Sequence, residues 1–96
     1  MLKSYSEEKI FSIPNRAGIH ARPSALFVGV AKNFKSNIYI EKLPDSTCRV
    51  DGKSIIGVIY LGMKYQEQVR IIAEGEDAEE ALLAIEKLFA SCFDEP

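Results

Sequence analysis

Ser54-Ile55-Ile56-Gly57-Val58-Ile59-Tyr60-Leu61-Gly62 decides the fold of this chain. Its β-branched residues favour a strand on propensity alone, and its length fits a strand or a short helix. The two ends argue for a helix, because Ser54 is a good N-cap and Gly62 a good C-terminal stop. A short helix cannot bury Ile55, Ile56, Ile59 and Tyr60 together, so part of that set is expected as an exposed apolar patch suited to docking.

Upstream, Asn37-Ile38-Tyr39-Ile40-Glu41 and Thr47-Cys48-Arg49-Val50-Asp51 alternate with period two. The turn sequence Leu43-Pro44-Asp45-Ser46 lies between them, which predicts a hairpin. Earlier still, Lys9-Ile10-Phe11-Ser12-Ile13 reads as a strand that stops at Pro14-Asn15. From Ala21 to about Phe34 the period becomes helical, with Ser24, Phe27, Val28, Ala31 and Phe34 on one stripe and Lys32 and Lys35 near the C-terminal end. Pro23 fits a first turn, where the amide groups lack internal partners anyway. Gly29 in mid-helix costs about 1 kcal/mol relative to Ala.

Downstream, Gln68 to Ala73 reads as a strand with Val69, Ile71 and Ala73 on one face. Asp77 and Glu80 match a capping box in the broad sense. They precede a helix from Ala78 to Cys92 whose apolar face carries Ala81, Leu82, Ile85, Leu88, Phe89 and Cys92. The acidic tail Asp94-Glu95-Pro96 is expected to fray. The order β-α-β-β-α-β-α predicts an α+β fold: an open-faced β-sandwich of a four-stranded antiparallel sheet with three helices on one face. In this topology the starts of the first two helices can lie near one another.

Composition narrows the function classes. The 96 residues make one domain (1–96) with 47% hydrophobic and 27% charged residues. Twelve basic residues against fourteen acidic ones leave a net charge of −2, which argues against nucleic acid as the main partner. Met1 to Lys9 carries Glu7 and Glu8 without an apolar core, so no signal peptide is read. No apolar run approaches the roughly 20 residues a membrane span requires, and the expected compartment is the cytoplasm. Cys48 and Cys92 read as reduced, buried thiols in preference to a disulfide. The short ligand spacings of a zinc site are missing, so no metal is expected.

The candidate chemistry lies in Asn15-Arg16-Ala17-Gly18-Ile19-His20-Ala21-Arg22-Pro23-Ser24, which holds the single histidine of the chain. A lone histidine near a glycine turn is most often a surface or capping residue. Here a turn delivers His20 to a helix start, where the helix field favours a neutral, nucleophilic ring. Arg22 in the first turn can hold phosphoryl oxygens with paired donors, although such an arginine is commonly only solvated. No third acidic or basic group is evident nearby in sequence, so the site is suited to receiving and releasing a phosphoryl group and poorly equipped to hydrolyse one. Ser54 reads foremost as an N-cap, and also as a helix start where an added phosphate is tolerated.

Gly18-Ile19-His20-Ala21-Arg22-Pro23, Gly52-Lys53-Ser54-Ile55-Ile56-Gly57 and Leu61-Gly62, in that order, resemble the histidine-containing phosphocarrier family, HPr, over roughly residues 9–90. HPr belongs to the bacterial phosphoenolpyruvate-dependent sugar phosphotransferase system. The resemblance implies a carrier without independent turnover, without cofactor and monomeric. It implies His20 phosphorylated by enzyme I and discharged to IIA components of sugar transporters, with Arg22 assisting. Ser54 matches the serine modified by a regulatory kinase/phosphorylase, and Ile55, Ile59 and Tyr60 match docking positions. The hairpin through Pro44 is longer than is usual in the family, and Gly29 stands where members often carry a longer side chain. A regulatory paralogue acting in nitrogen or carbon control is the nearest alternative. Two other classes stay open on the residues alone: a small acyl phosphatase using Arg22, and an interaction module in which His20 only caps a helix.

Overall fold

The computed structural model describes residues 5–45 and 47–95. The elements run β1 (Ser6–Ser12), α1 (Ala21–Ala31), β2 (Asn37–Lys42), β3 (Arg49–Asp51), α2 (Ile55–Tyr60), β4 (Gln68–Glu74) and α3 (Ala78–Ala90), then a short 3-10 turn, Cys92–Asp94. The four strands form one antiparallel sheet in the order β1-β4-β2-β3, and this is the expected open-faced sandwich.

Register separates the two faces. Ile38 pairs with Ala73 and Ile40 with Ile71; these four, with Val69, are buried among helical residues Phe27, Val58, Ala81 and Ile85. On the open face Glu41 lies opposite both Arg49 and Arg70. Arg49 Nε donates to its carboxylate at 3.1 Å and Arg70 Nη1 at 2.9 Å. Burial pushes the Glu41 carboxyl upward, but the Arg70 and Arg49 guanidiniums outweigh it and hold the group below its ordinary range. The face that lacks helices thus carries an ionic lattice beside the apolar pair Tyr39 and Ile72, of which Ile72 is buried.

The segment from Ser54 is helical, against the propensity of its β-branched residues. Ser54 Oγ accepts the amide of Gly57 at 3.1 Å, and Gly62 ends the segment at φ +59. Gly57 packs against β3: a Cβ built there would stand 3.4 Å from Val50 Cβ, in ordinary contact. Val58, fully buried, anchors α2 to the core.

Several local expectations are corrected. β1 begins at Ser6, earlier than Lys9, because Ser6 to Lys9 is an exposed edge paired through backbone to β4, where hydrophobic pattern carries no signal. α1 ends at Ala31, short of Phe34, as the last turn tightens into bonds from the Asn33 amide to Val30 and from the Phe34 amide to Ala31. β3 is only Arg49–Asp51, so Thr47 and Cys48 belong to the connection, and Cys48 is exposed instead of buried. Cys92 is half-buried, and both thiols are free. Ser46 of the expected turn lies outside the described residues.

The capping box does not form either. Asp77 makes no cap bond to α3. Its carboxylate instead accepts from the Lys35 amide at 2.8 Å, the Ser36 amide at 2.9 Å and the Ser36 hydroxyl. A carboxylate that meets three donors at the start of β2 has no reason to turn back on its own helix. α3 stops at Ala90, and Cys92, Phe93 and Asp94 turn left-handed at φ 55, 55 and 56. Phe93 is 1% exposed and packs edge-on against Phe89, which stacks on Phe11. The tail is therefore folded through Glu95, and Pro96 lies outside the described residues.

Candidate functional site

The site is assembled on a turn fixed at both ends. The amide of Gly18 donates to the Asn15 carbonyl at 2.9 Å, and the amide of Ile19 donates to the Met63 carbonyl at 2.9 Å. Gly18 sits at φ +77, and a Cβ on it would fall 2.7 Å from the Met63 oxygen. Only glycine satisfies that backbone angle and that approach without strain. Ile19 is buried, so the next residue, His20, faces outward.

His20 is the N-cap of α1, with extended backbone and no side-chain cap bond, and the first turn of α1 carries no acidic residue. Its carbonyl accepts the Ser24 amide at 3.0 Å. Pro23 has no amide, so the Ala21 and Arg22 amides are the orphan donors of this helix start. Arg22 is exposed in the same turn. An imidazole, a guanidinium and two orphan amides at the positive end of an eleven-residue helix suit a dianionic phosphoryl group.

The structure brings one further group that sequence reading missed. Glu95 Oε2 lies 3.1 Å from His20 Nε2. The same carboxylate accepts from Asn15 Nδ2, and Asn15 is 2% exposed. The acidic character of the tail was visible in the sequence, but its placement depends on the left-handed turn after α3.

α2 packs beside α1. Ser54 caps it, and its apolar side chains do stand out: Ile55 is 42%, Ile56 78%, Ile59 44% and Tyr60 75% exposed. Ile56, outside the docking set implied by resemblance, is the most exposed of the four. The loop after α2 supplies the Met63 carbonyl beneath Gly18, so the α2 segment and the His20 turn share one support. Among the described residues there is no cluster of metal-ligating side chains and no helix long and apolar enough to cross a membrane.

The PTS-HPr family, described as "PTS HPr component phosphorylation site", matches residues 7–91. The chain is 41% identical to the phosphocarrier protein HPr of Treponema pallidum over 91% of its own length and 96% of that protein. It is 47% identical to a multiphosphoryl transfer protein of Vibrio cholerae over 78% of its own length, and there it spans only 19% of the relative. Among solved structures, HPr-C-His from Thermoanaerobacter tengcongensis superposes with a TM-score of 0.86 at 41% identity, covering 94% of this chain and 98% of that one. HPr from Bacillus anthracis gives a TM-score of 0.76 at 40% identity, covering 88% and 94%. With the histidine turn and the sandwich fold in agreement, the chain belongs to the HPr family, the phosphocarrier proteins of the phosphotransferase system, and is a carrier, not an enzyme.

Proposed function

We propose that this chain carries its phosphoryl group on His20, receiving it from phosphoenolpyruvate-charged enzyme I and passing it to IIA components of sugar transporters. The observation that carries the reading is the uncapped start of α1: a histidine at the N-cap, Arg22 in the first turn, and no carboxylate in that turn to repel a phosphate. A ring nitrogen lone pair attacks phosphorus, the donor's bond to phosphorus breaks, and the leaving group takes that electron pair. The Arg22 guanidinium and the Ala21 and Arg22 amides stabilise the equatorial oxygens as charge spreads over them.

Docking falls to Ile55, Ile59 and Tyr60, joined by Ile56, since these exposed apolar side chains stand on the helix beside the site. Ser54 is the regulatory position: a kinase that adds phosphate there places about two negative charges at the edge of the apolar patch.

The deciding experiment incubates the chain with phosphoenolpyruvate and enzyme I and reads intact mass. One acid-labile phosphate is expected, absent from His20→Ala. A phosphate that persists in His20→Ala would overturn the assignment. An acid-stable phosphate from ATP and the kinase is expected to be absent from Ser54→Ala.

A further inference from the structure

A cavity of about 420 Å³ lies at the C-terminal end of α2, between that helix and the connection from β2 to β3. Its size falls within the roughly 300–1,000 Å³ of ligand pockets. Leu43, Pro44, Tyr60 and Leu61 give it apolar sides. Leu61 is buried, whereas Tyr60 is 75% exposed.

The charges that line it are unequal. Lys42 is the one cation among its lining residues, and its ammonium is already engaged. It donates to the Leu61 and Gly62 carbonyls at 3.4 and 3.3 Å and stands 3.4 Å from Glu67 Oε1. A lysine so placed satisfies the last carbonyls of a helix. Glu67 Oε1 also accepts the Lys64 amide at 2.7 Å. That amide holds the Glu67 carboxyl below its ordinary range and, with Lys42, outweighs the opposing effect of burial. Asp45 also lines the cavity, is exposed, and has no hydrogen-bond or ion-pair partner among the described residues. Two carboxylates thus face one committed ammonium, so the cavity favours a cation and disfavours an anion.

Tyr60 joins this cavity to the docking patch. It lines the cavity and stands on the same helix as Ile55 and Ile59. A protein seated on the exposed face of α2 therefore reaches the cavity without leaving its apolar contact. The side chain that fits is long, cationic and able to lie on an aromatic ring, and arginine meets all three conditions. Enzyme I is met in every transfer cycle, whereas the acceptors are several, so one fixed pocket suits the donor. We propose that the cavity extends the docking surface and receives an arginine side chain of enzyme I, its guanidinium held by Asp45 and Glu67 and laid against the Tyr60 ring. The inference rests on the reading of α2 as the docking helix.

Cys48 lines the cavity and its thiol is free and exposed, so alkylation reports occupancy directly. The test treats the full chain with iodoacetamide, with and without saturating enzyme I, and reads the Cys48 peptide by mass. Enzyme I is expected to slow Cys48 labelling by at least about fivefold, as access to the thiolate is lost. Its Kd is expected to rise about two- to fivefold when Asp45→Asn is combined with Glu67→Gln, the size of a partly screened charge contact. Glu67→Gln keeps an oxygen for the Lys64 amide, so the loop stays in place. N-acetyl-arginine amide, as a probe of the chemistry alone, should shift the Cys48 and Leu61 amide resonances saturably, and N-acetyl-glutamate amide should not. Full-rate Cys48 labelling in a complex where the Ile55 and Ile59 methyl resonances shift would overturn the proposal, because enzyme I then docks and leaves the cavity open. An unchanged Kd in the double variant, or equal shifts from the two amides, would overturn it as well. Failure of the docking reading looks different and takes the proposal with it: enzyme I binds while the Ile55 and Ile59 methyl resonances stay in place.

Discussion

The Met63 carbonyl accepts the Ile19 amide at 2.9 Å and occupies the space where a Cβ on Gly18 would stand. One backbone oxygen from the loop after α2 thus sets the height of the turn that presents His20. The loop after α2 and the histidine turn are joined directly through this bond, although Met63 and Ile19 are distant in sequence.

Gly18→Ala tests that support. At φ +77 a side chain is strained before any contact is counted, and the new Cβ would lie 2.7 Å from a backbone oxygen. The expected loss of stability is about 1–3 kcal/mol, read from the urea midpoint. Phosphorylation from enzyme I is expected to slow even where the variant stays fully folded, because the displaced turn carries the imidazole.

Gly29→Ala is expected to act in the opposite direction. Gly29 lies on the exposed side of α1, and nothing stands within 4 Å of a Cβ built there. Neither a positive φ nor a close approach requires glycine. The substitution should stabilise the chain by about 0.5–1 kcal/mol in thermal or urea unfolding. A destabilised variant would mean that the surrounding space is filled in solution.

Much of this architecture was legible because burial dictated it. The stripe Ser24, Phe27, Val28, Ala31 and the alternation of Val69, Ile71, Ala73 are direct prints of the core on the sequence. The helix at Ser54 was legible from its ends alone, since Ile55, Ile56 and Ile59 argue for a strand. What could not be read depends on polar contacts between distant segments. A capping box is local, so the sequence places Asp77 on its own helix, while its true partners, Lys35 and Ser36, are reached only after the sheet assembles. Glu95 reads as part of a frayed tail for the same reason. The burial of Phe93 that folds the tail back is tertiary, and no local pattern announces three left-handed residues in succession.

The Asp77 contact makes an acid-stability prediction. Its carboxyl is held down from 3.8 to about 2, chiefly by the Ser36 hydroxyl and the Lys35 amide, which together with the Ser36 amide outweigh the opposing effect of burial. A carboxyl with a depressed folded-state pKa stabilises above its unfolded value and loses that contribution as pH falls through the folded one. The urea midpoint of wild type is therefore expected to fall between pH 3.8 and about 2. Asp77→Asn should have a lower midpoint at neutral pH and a shallower fall over that window. Parallel curves for the two proteins would show that the contact carries no pH-linked stability.

Ser54 separates a structural effect from a regulatory one. Its hydroxyl oxygen accepts the Gly57 amide at 3.1 Å, so Ser54→Ala should lower stability by about 0.5–2 kcal/mol. α2 is six residues long and is held to the core by Val58, so its exposed face should lose order first. Ser54→Asp keeps a capping oxygen and adds a negative charge at a helix start, where it is tolerated. Stability should then stay near wild type while His20 charging slows, because the charge borders Ile55 and Ile56 and must be desolvated when a partner docks. Charging of Ser54→Asp at the wild-type rate would remove Ser54 from the control of His20, and a Ser54→Ala variant that is both destabilised and slow would assign the residue to the cap alone.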